Sequence, residues 1–181
     1  MVVQENKINN MSYIVVDVES DGPIIGEHSI VCFGAIIVDK HLDKTFYSKI
    51  KPISDKYEPE ALAVSGFTRE EHLEFNSPEE VMKEFAEWIG KNSKGKPILI
   101  SDNNGYDASW INYYFHKYFG SNPFGWSSRR IGDMFAGFMN DSHYQWKKHR
   151  ITKHTHNPVD DAKGNAEALL WLKEQGFKIK L

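Results

Sequence analysis

The chain has 181 residues, 40% apolar, 13% aromatic and 26% charged, with a formal net charge of −3. That length sets an expectation of one domain, and that apolar content is too high for a disordered chain. Its longest apolar runs, such as Ile30 to Ile37 around Gly34, fall far short of the ~20 residues that cross a bilayer, so no membrane partner is expected. The opening MVVQENKINN lacks the basic and apolar regions of a secretory signal. A lone cysteine, Cys32, excludes an internal disulfide and a thiolate zinc cage, which makes the reducing cytoplasm the expected location.

Residues 1–11 are polar and aperiodic, an expected disordered extension, and 12–181 read as a single domain. Tyr13 to Val18 is a short β-branched run, the pattern of a buried strand. Ile30 to Val38 is another, and Thr45 to Ile50 alternates like a sheet edge. Ser77-Pro78-Glu79-Glu80 is a capping box with proline at the first helical position. The helix it opens puts Val81, Phe85, Trp88 and Ile89 on one face and is expected to end at Gly90. Pro97 to Ile100 is a fourth strand, and Asp107 opens a helix carrying Trp110, Ile111, Tyr114, Phe115 and Tyr118. Arg130 to Gly132 reads as a short fifth strand before a helix with Met134, Phe135 and Phe138. The last helix starts near Pro158 with Asn157 as N-cap and buries Val159, Ala162, Ala166, Leu169 and Leu170. Three strands followed by alternating helices and strands give an α/β sheet with helices on its faces.

Charge is unevenly spread. Between Asp55 and Glu87 ten acids face Lys56, Arg69 and Lys83, whereas His143 to His156 holds Lys147, Lys148, Arg150, Lys153, four histidines and no acid. One face therefore repels polyanions and another collects them. Some patterns are decoys. Gly90 to Pro97 has P-loop spacing, but proline stands where a hydroxyl must meet magnesium, and the segment leaves a helix and enters a strand. Asp17 to Gly22 imitates the front of an EF-hand, yet follows a strand and has His28 at the position of the bidentate glutamate. His149, His154 and His156, with lysines interspersed and no thiolates, fit solvated loop histidines better than a zinc site.

The acids with chemical content sit at element ends. Asp17 and Glu19 close the first strand two residues apart, on one face. Asp107 stands at the mouth of a helix, and Asp161 lies in the first turn of the last helix, off its apolar stripe, with His156 just upstream. Converging carboxylates repel unless a cation sits among them, and hard oxygen donors suit Mg²⁺ or Mn²⁺.

Together these residues resemble the DEDDh 3′–5′ exonucleases, the group that includes proofreading exonucleases, RNase T and oligoribonuclease. The family's Asp-x-Glu after an apolar strand is matched by Val15-Val16-Asp17-Val18-Glu19-Ser20. Its His-Asn-x-x-Phe-Asp before a helix is matched by Asp102-Asn103-Asn104-Gly105-Tyr106-Asp107, and its His-x4-Asp by His156 through Asp161. The resemblance spans about residues 12–175. It departs where Ser20 replaces threonine, Asp102 replaces histidine, and Ser65-Gly66-Phe67-Thr68 stands for His-Gly-Ile-Thr.

The resemblance implies an RNase H-like fold: a five-stranded mixed β-sheet, its first three strands antiparallel, flanked by helices. It implies two Mg²⁺ or Mn²⁺ ions ~3.5–4 Å apart that clamp the attacking and leaving oxygens. Asp17 would bridge them, Glu19 and Asp161 would complete one, Asp107 would hold the other through water, and His156 would be the general base. Imidazole suits that role because its unperturbed pKa of ~6.5 lies near working pH. Lys147, Lys148, Arg150 and Lys153 would attract a polyanion. Phe67, Tyr106 and Trp146 are candidates to stack on bases, and the resemblance implies that Glu19 and the backbone around Ser20 would read the terminal 3′-hydroxyl. The expected partner is the 3′ end of single-stranded RNA or DNA, with RNA favoured on size, and a homodimer is left open. Two other readings stand beside this one: an inactive nucleic-acid-binding module on the same fold, and a small-molecule metallophosphoesterase.

Overall fold

The computed structural model describes residues 11–179. Residues 1–10 of the expected extension lie outside the described residues, and Met11 already belongs to the first strand. The strands are β1 (Met11–Ser20), β2 (Ile30–Ile37), β3 (Thr45–Lys49), β4 (Lys96–Ser101) and β5 (Ser128–Arg130). They form one mixed sheet in the order β3-β2-β1-β4-β5. β1, β2 and β3 pair antiparallel, whereas β1–β4 and β4–β5 are parallel. This is the sheet the resemblance implies.

β1 is central and nearly continuously apolar because helices cover both of its faces. Ile14 and Val16 point into one core with Phe33, Phe85, Trp110 and Tyr114. Val15 points into the other with Ile36, Ile100, Phe135, Trp146 and Leu169. The first core is closed by α3 (Pro78–Asn92) and α4 (Asp107–Tyr114), the second by α5 (Ile131–Met139) and α6 (Pro158–Glu174). Two short helices, α1 (Pro59–Val64) and α2 (Arg69–Leu73), fill the connection from β3 to α3.

Local chemistry explains most boundaries. The Ser77 hydroxyl accepts the Glu80 amide at 3.3 Å and the Glu80 carboxylate accepts the Ser77 amide, as the capping box requires. Gly90 does not stop α3. The helix continues to Asn92, whose side-chain amide donates to the Trp88 carbonyl at 2.8 Å. The stripe begun in α4 runs on through a π-helical turn, Phe115–Phe119, ended by Gly120 at φ 86°. In α6, Val159 and Leu170 are only partly buried, and Asp161, expected off the apolar stripe, is buried.

Candidate active site

β1 and β4 run parallel, so the C-terminal end of β1 lies beside the loop leaving β4, and β1 carries Asp17 and Glu19 toward that edge. Asp107 sits in the first turn of α4. Its Oδ1 accepts the Val18 amide and its Oδ2 the Asn103 amide, each at 3.2 Å, which ties α4 to β1 between the two acids. Asp161 arrives from the first turn of α6, held beside β2 by a close approach at Gly34. One carboxylate oxygen from each of Asp17, Glu19 and Asp161 lies within 4.8 Å of the others.

These acids are held at a cost. Asp17 is pushed well above the usual carboxylate range, first by burial and then by repulsion from Asp107, Asp161 and Glu19, with Arg150 pulling it back. Glu19 is pushed up to about 7 by burial and Asp161, with His154 opposing. Burial pushes Asp107 to about 7 despite its two backbone donors. A set of half-buried and buried hard oxygen donors that repel one another fits a divalent cation of the Mg²⁺ or Mn²⁺ type.

The loop before α6 turns toward the cluster. His156 adopts φ 60°, its amide donates to Asp161 Oδ2 at 3.0 Å, and its Nδ1 faces Glu19 Oε1 at 3.7 Å. His154, read from sequence as a solvated histidine, brings Nδ1 to 2.8 Å from Asp161 Oδ1, and its ring meets that of His156 at 4.3 Å. Nothing in the spacing signals this, because the path from Arg150 to Asn157 has no repeating geometry. Arg150 is not part of an exposed basic patch. Its guanidinium is buried, with Nη2 2.7 Å from Asp161 Oδ1.

The other candidates divide. Ser20 Oγ donates to the Gly22 carbonyl at 2.6 Å and is bonded by the Tyr106 hydroxyl, so these two residues link β1 to α4 at the rim of the cluster. Phe67 is partly buried, edge-on to Phe75 at 5.0 Å. Trp146 is 6% exposed and packs beside Phe135 in the second core, which corrects its reading as a base-stacking residue. The capture of that ring by a hydrophobic cavity outweighs its place in a basic stretch. Lys147 pairs with Asp102 at 2.6 Å, Lys148 lies over Tyr144 at 4.4 Å, and Lys153 is exposed.

A mixed sheet of this order thus carries carboxylates that converge beside its central strand. A profile of the RNase T exonucleases matches residues 14–169, and the chain belongs to that exonuclease family. It is 34% identical over 182 residues to the 3′-5′ DNA exonuclease Cap18 of Escherichia coli, covering 93% of this chain and 95% of the relative. Its structure is similar to the nuclease domain of 3′hExo, a DEDDh family member solved bound to rAMP. The TM-score is 0.76 at 18% identity, over 94% of this chain and 96% of that one. It is also similar to E. coli Exonuclease I in complex with a dT13 oligonucleotide, with TM-score 0.70 and 16% identity, over 90% of this chain but 41% of that one. Among the described residues no helix is long and apolar enough to cross a membrane.

Proposed function

We propose that this chain hydrolyses single-stranded DNA from its 3′ end, releasing nucleoside 5′-monophosphates. The observation that carries the reading is the meeting of Asp17, Glu19 and Asp161 within 4.8 Å, with His156 turned to the same carboxylates. The 34%-identical relative named as a DNA exonuclease favours DNA over the RNA preference drawn from size.

In this reading Asp17, Glu19 and Asp161 would hold one divalent cation, and Asp17 with Asp107 would hold a second. Such a pair neutralises charge on the reacting phosphate and acidifies water. The His156 ring takes the proton of the attacking water at the nitrogen turned to Glu19. Its place on a loop lets it approach once substrate fills the site. Ser20 and Tyr106, whose hydroxyls bond each other, fix the backbone that meets the terminal sugar, and Phe67 forms an apolar wall for its base. Lys153 and Lys148 contribute positive field to an incoming strand.

The test is a time course on single-stranded DNA and RNA labelled at either end, with Mg²⁺, Mn²⁺ or chelator, for the wild type and Asp17→Ala. Stepwise shortening of 5′-labelled DNA, early mononucleotide release from 3′-labelled DNA, and silence in chelator and in the variant are expected. Strands that bind in Mn²⁺ and stay intact would replace this reading with a non-catalytic binding module. Faster loss of RNA would restore the ribonuclease preference.

A further inference from the structure

The register of the sheet extends the acidic site sideways. Asp17 pairs with Gly34 and Gly34 with Tyr47; Glu19 pairs with Cys32 and Cys32 with Lys49. Paired residues on adjacent strands share a face, so Tyr47 and Lys49 of β3 look out on the side that carries the two acids. Their neighbours look the other way: Phe46 packs on Phe85 at 4.8 Å and on Trp88 at 5.8 Å, and Ser48 is buried. The Glu19 row continues past the sheet edge. Ile50 bridges Asn76, which sets Phe75 beside Lys49.

There the Lys49 ammonium lies 4.7 Å from the ring centre of Phe75 and 5.2 Å from that of Phe67. Lys147, Arg150 and Arg69 are each paired with an aspartate, but none of the ion pairs among the described residues involves Lys49. Its charge is available and its stem is steadied by two aromatic faces. Two strand spacings separate its backbone from that of Glu19, about 10 Å. It is therefore too far to touch the reacting phosphate and well placed for the chain behind it.

We propose that Lys49 is a substrate-binding residue, its ammonium receiving an internucleotide phosphate on the 5′ side of the hydrolysed bond while Phe67 and Phe75 steady it and offer apolar surface to a base. This rests on the exonuclease reading and adds the direction in which the strand leaves the site, across β3. A phosphate contact of this kind is independent of sequence and sensitive to salt.

The experiment compares wild type, Lys49→Gln and Lys49→Arg on a single-stranded DNA oligonucleotide over a range of KCl, and on the p-nitrophenyl ester of thymidine 5′-monophosphate, which has no upstream phosphate. For Lys49→Gln, KM on the oligonucleotide is expected to rise about 5- to 10-fold, and the slope of log affinity against log salt to fall by about 0.7. The arginine variant should recover most of both. The rise in KM on the mononucleotide ester should be several-fold smaller. An unchanged oligonucleotide KM and salt slope, or an equal loss on both substrates, would overturn the assignment. If the wild type cuts no strand, the exonuclease reading fails instead. Fluorescence anisotropy of labelled DNA in Ca²⁺ then still decides whether Lys49 binds the strand.

Discussion

Gly34 and Pro158 meet backbone to backbone: a Cβ at residue 34 would lie 2.5 Å from the Pro158 carbonyl carbon and from the Val159 amide nitrogen. Gly34 is also the cross-strand partner of Asp17. A missing side chain on β2 therefore sets how closely the first turn of α6, and with it Asp161, approaches Asp17.

Gly34→Ala tests this relationship. No flexible side-chain end can yield there, so the helix start must move, an overpacking that costs about 1–3 kcal/mol. At this chain length that corresponds to a fall in Tm of about 3–10 °C. Weaker protection by Mn²⁺, followed by thermal melting with and without the ion, is expected to accompany it. Unchanged melting in both conditions would show that the contact yields freely.

The acidic cluster makes metal-free stability fall as pH rises. Glu19 and Asp107 are held at about 7, against 4.5 and 3.8 for unperturbed groups. A folded-state pKa above the unfolded one gives a contribution complete below pH ~4 and lost as pH climbs through 7. His72 works oppositely. Burial first and Arg69 second lower it to about 4, so its contribution is present above 6.5 and lost on acidification. Melting in chelator from pH 5 to 8, compared with Glu19→Gln, isolates the cluster. The wild type should lose more Tm than the variant, and saturating Mn²⁺ should remove the difference.

Much of this site was legible in the chain because its acids sit at element ends, where strand alternation and helix caps fix their direction. Asp17 and Glu19 share a face by periodicity alone, and Asn157, whose side chain accepts the Val159 amide at 3.0 Å, marks the start of α6. Loop contacts were not legible. Arg150 and Trp146 belong to a basic stretch in sequence, but burial turned one toward Asp161 and the other into the core. α2 was overlooked although Thr68 and Glu71 form its capping box, because five residues carry too little periodicity to register.

Glu167 straps the histidine loop to α6. Its carboxylate accepts the Ile151 amide at 2.8 Å, the Thr152 amide at 2.6 Å and the Thr152 hydroxyl at 2.8 Å. Glu167→Ala should lower kcat by about 10- to 100-fold through misplacement of His156, while strand binding changes little. His156→Ala sets the scale, with a loss of about 10²- to 10⁴-fold for a removed proton acceptor. If Glu167→Ala instead raised KM and spared kcat, the strap would serve substrate binding rather than the base.

Asp21, fully buried one residue beyond Ser20, is held by the Ser29 amide at 2.5 Å and by Arg69 Nη1 at 3.1 Å. Arg69 also donates to the Ser54 carbonyl at 2.7 Å. Arg69→Met leaves an unpaired buried carboxylate and should cost about 3–5 kcal/mol. Adding Asp21→Asn should recover a large part of that loss in denaturant melts. A double variant no more stable than Arg69→Met would show that the charge pair is not the source.

Because Asp161 is delivered by α6, the acidic cluster joins side chains 144 positions apart, from Asp17 in β1 to the first turn of that helix. Two of its acids lie on β1, but the third cannot join them until the first turn of α6 has docked against Gly34. A product truncated before Pro158 would carry Asp17 and Glu19 without the carboxylate that completes the cluster.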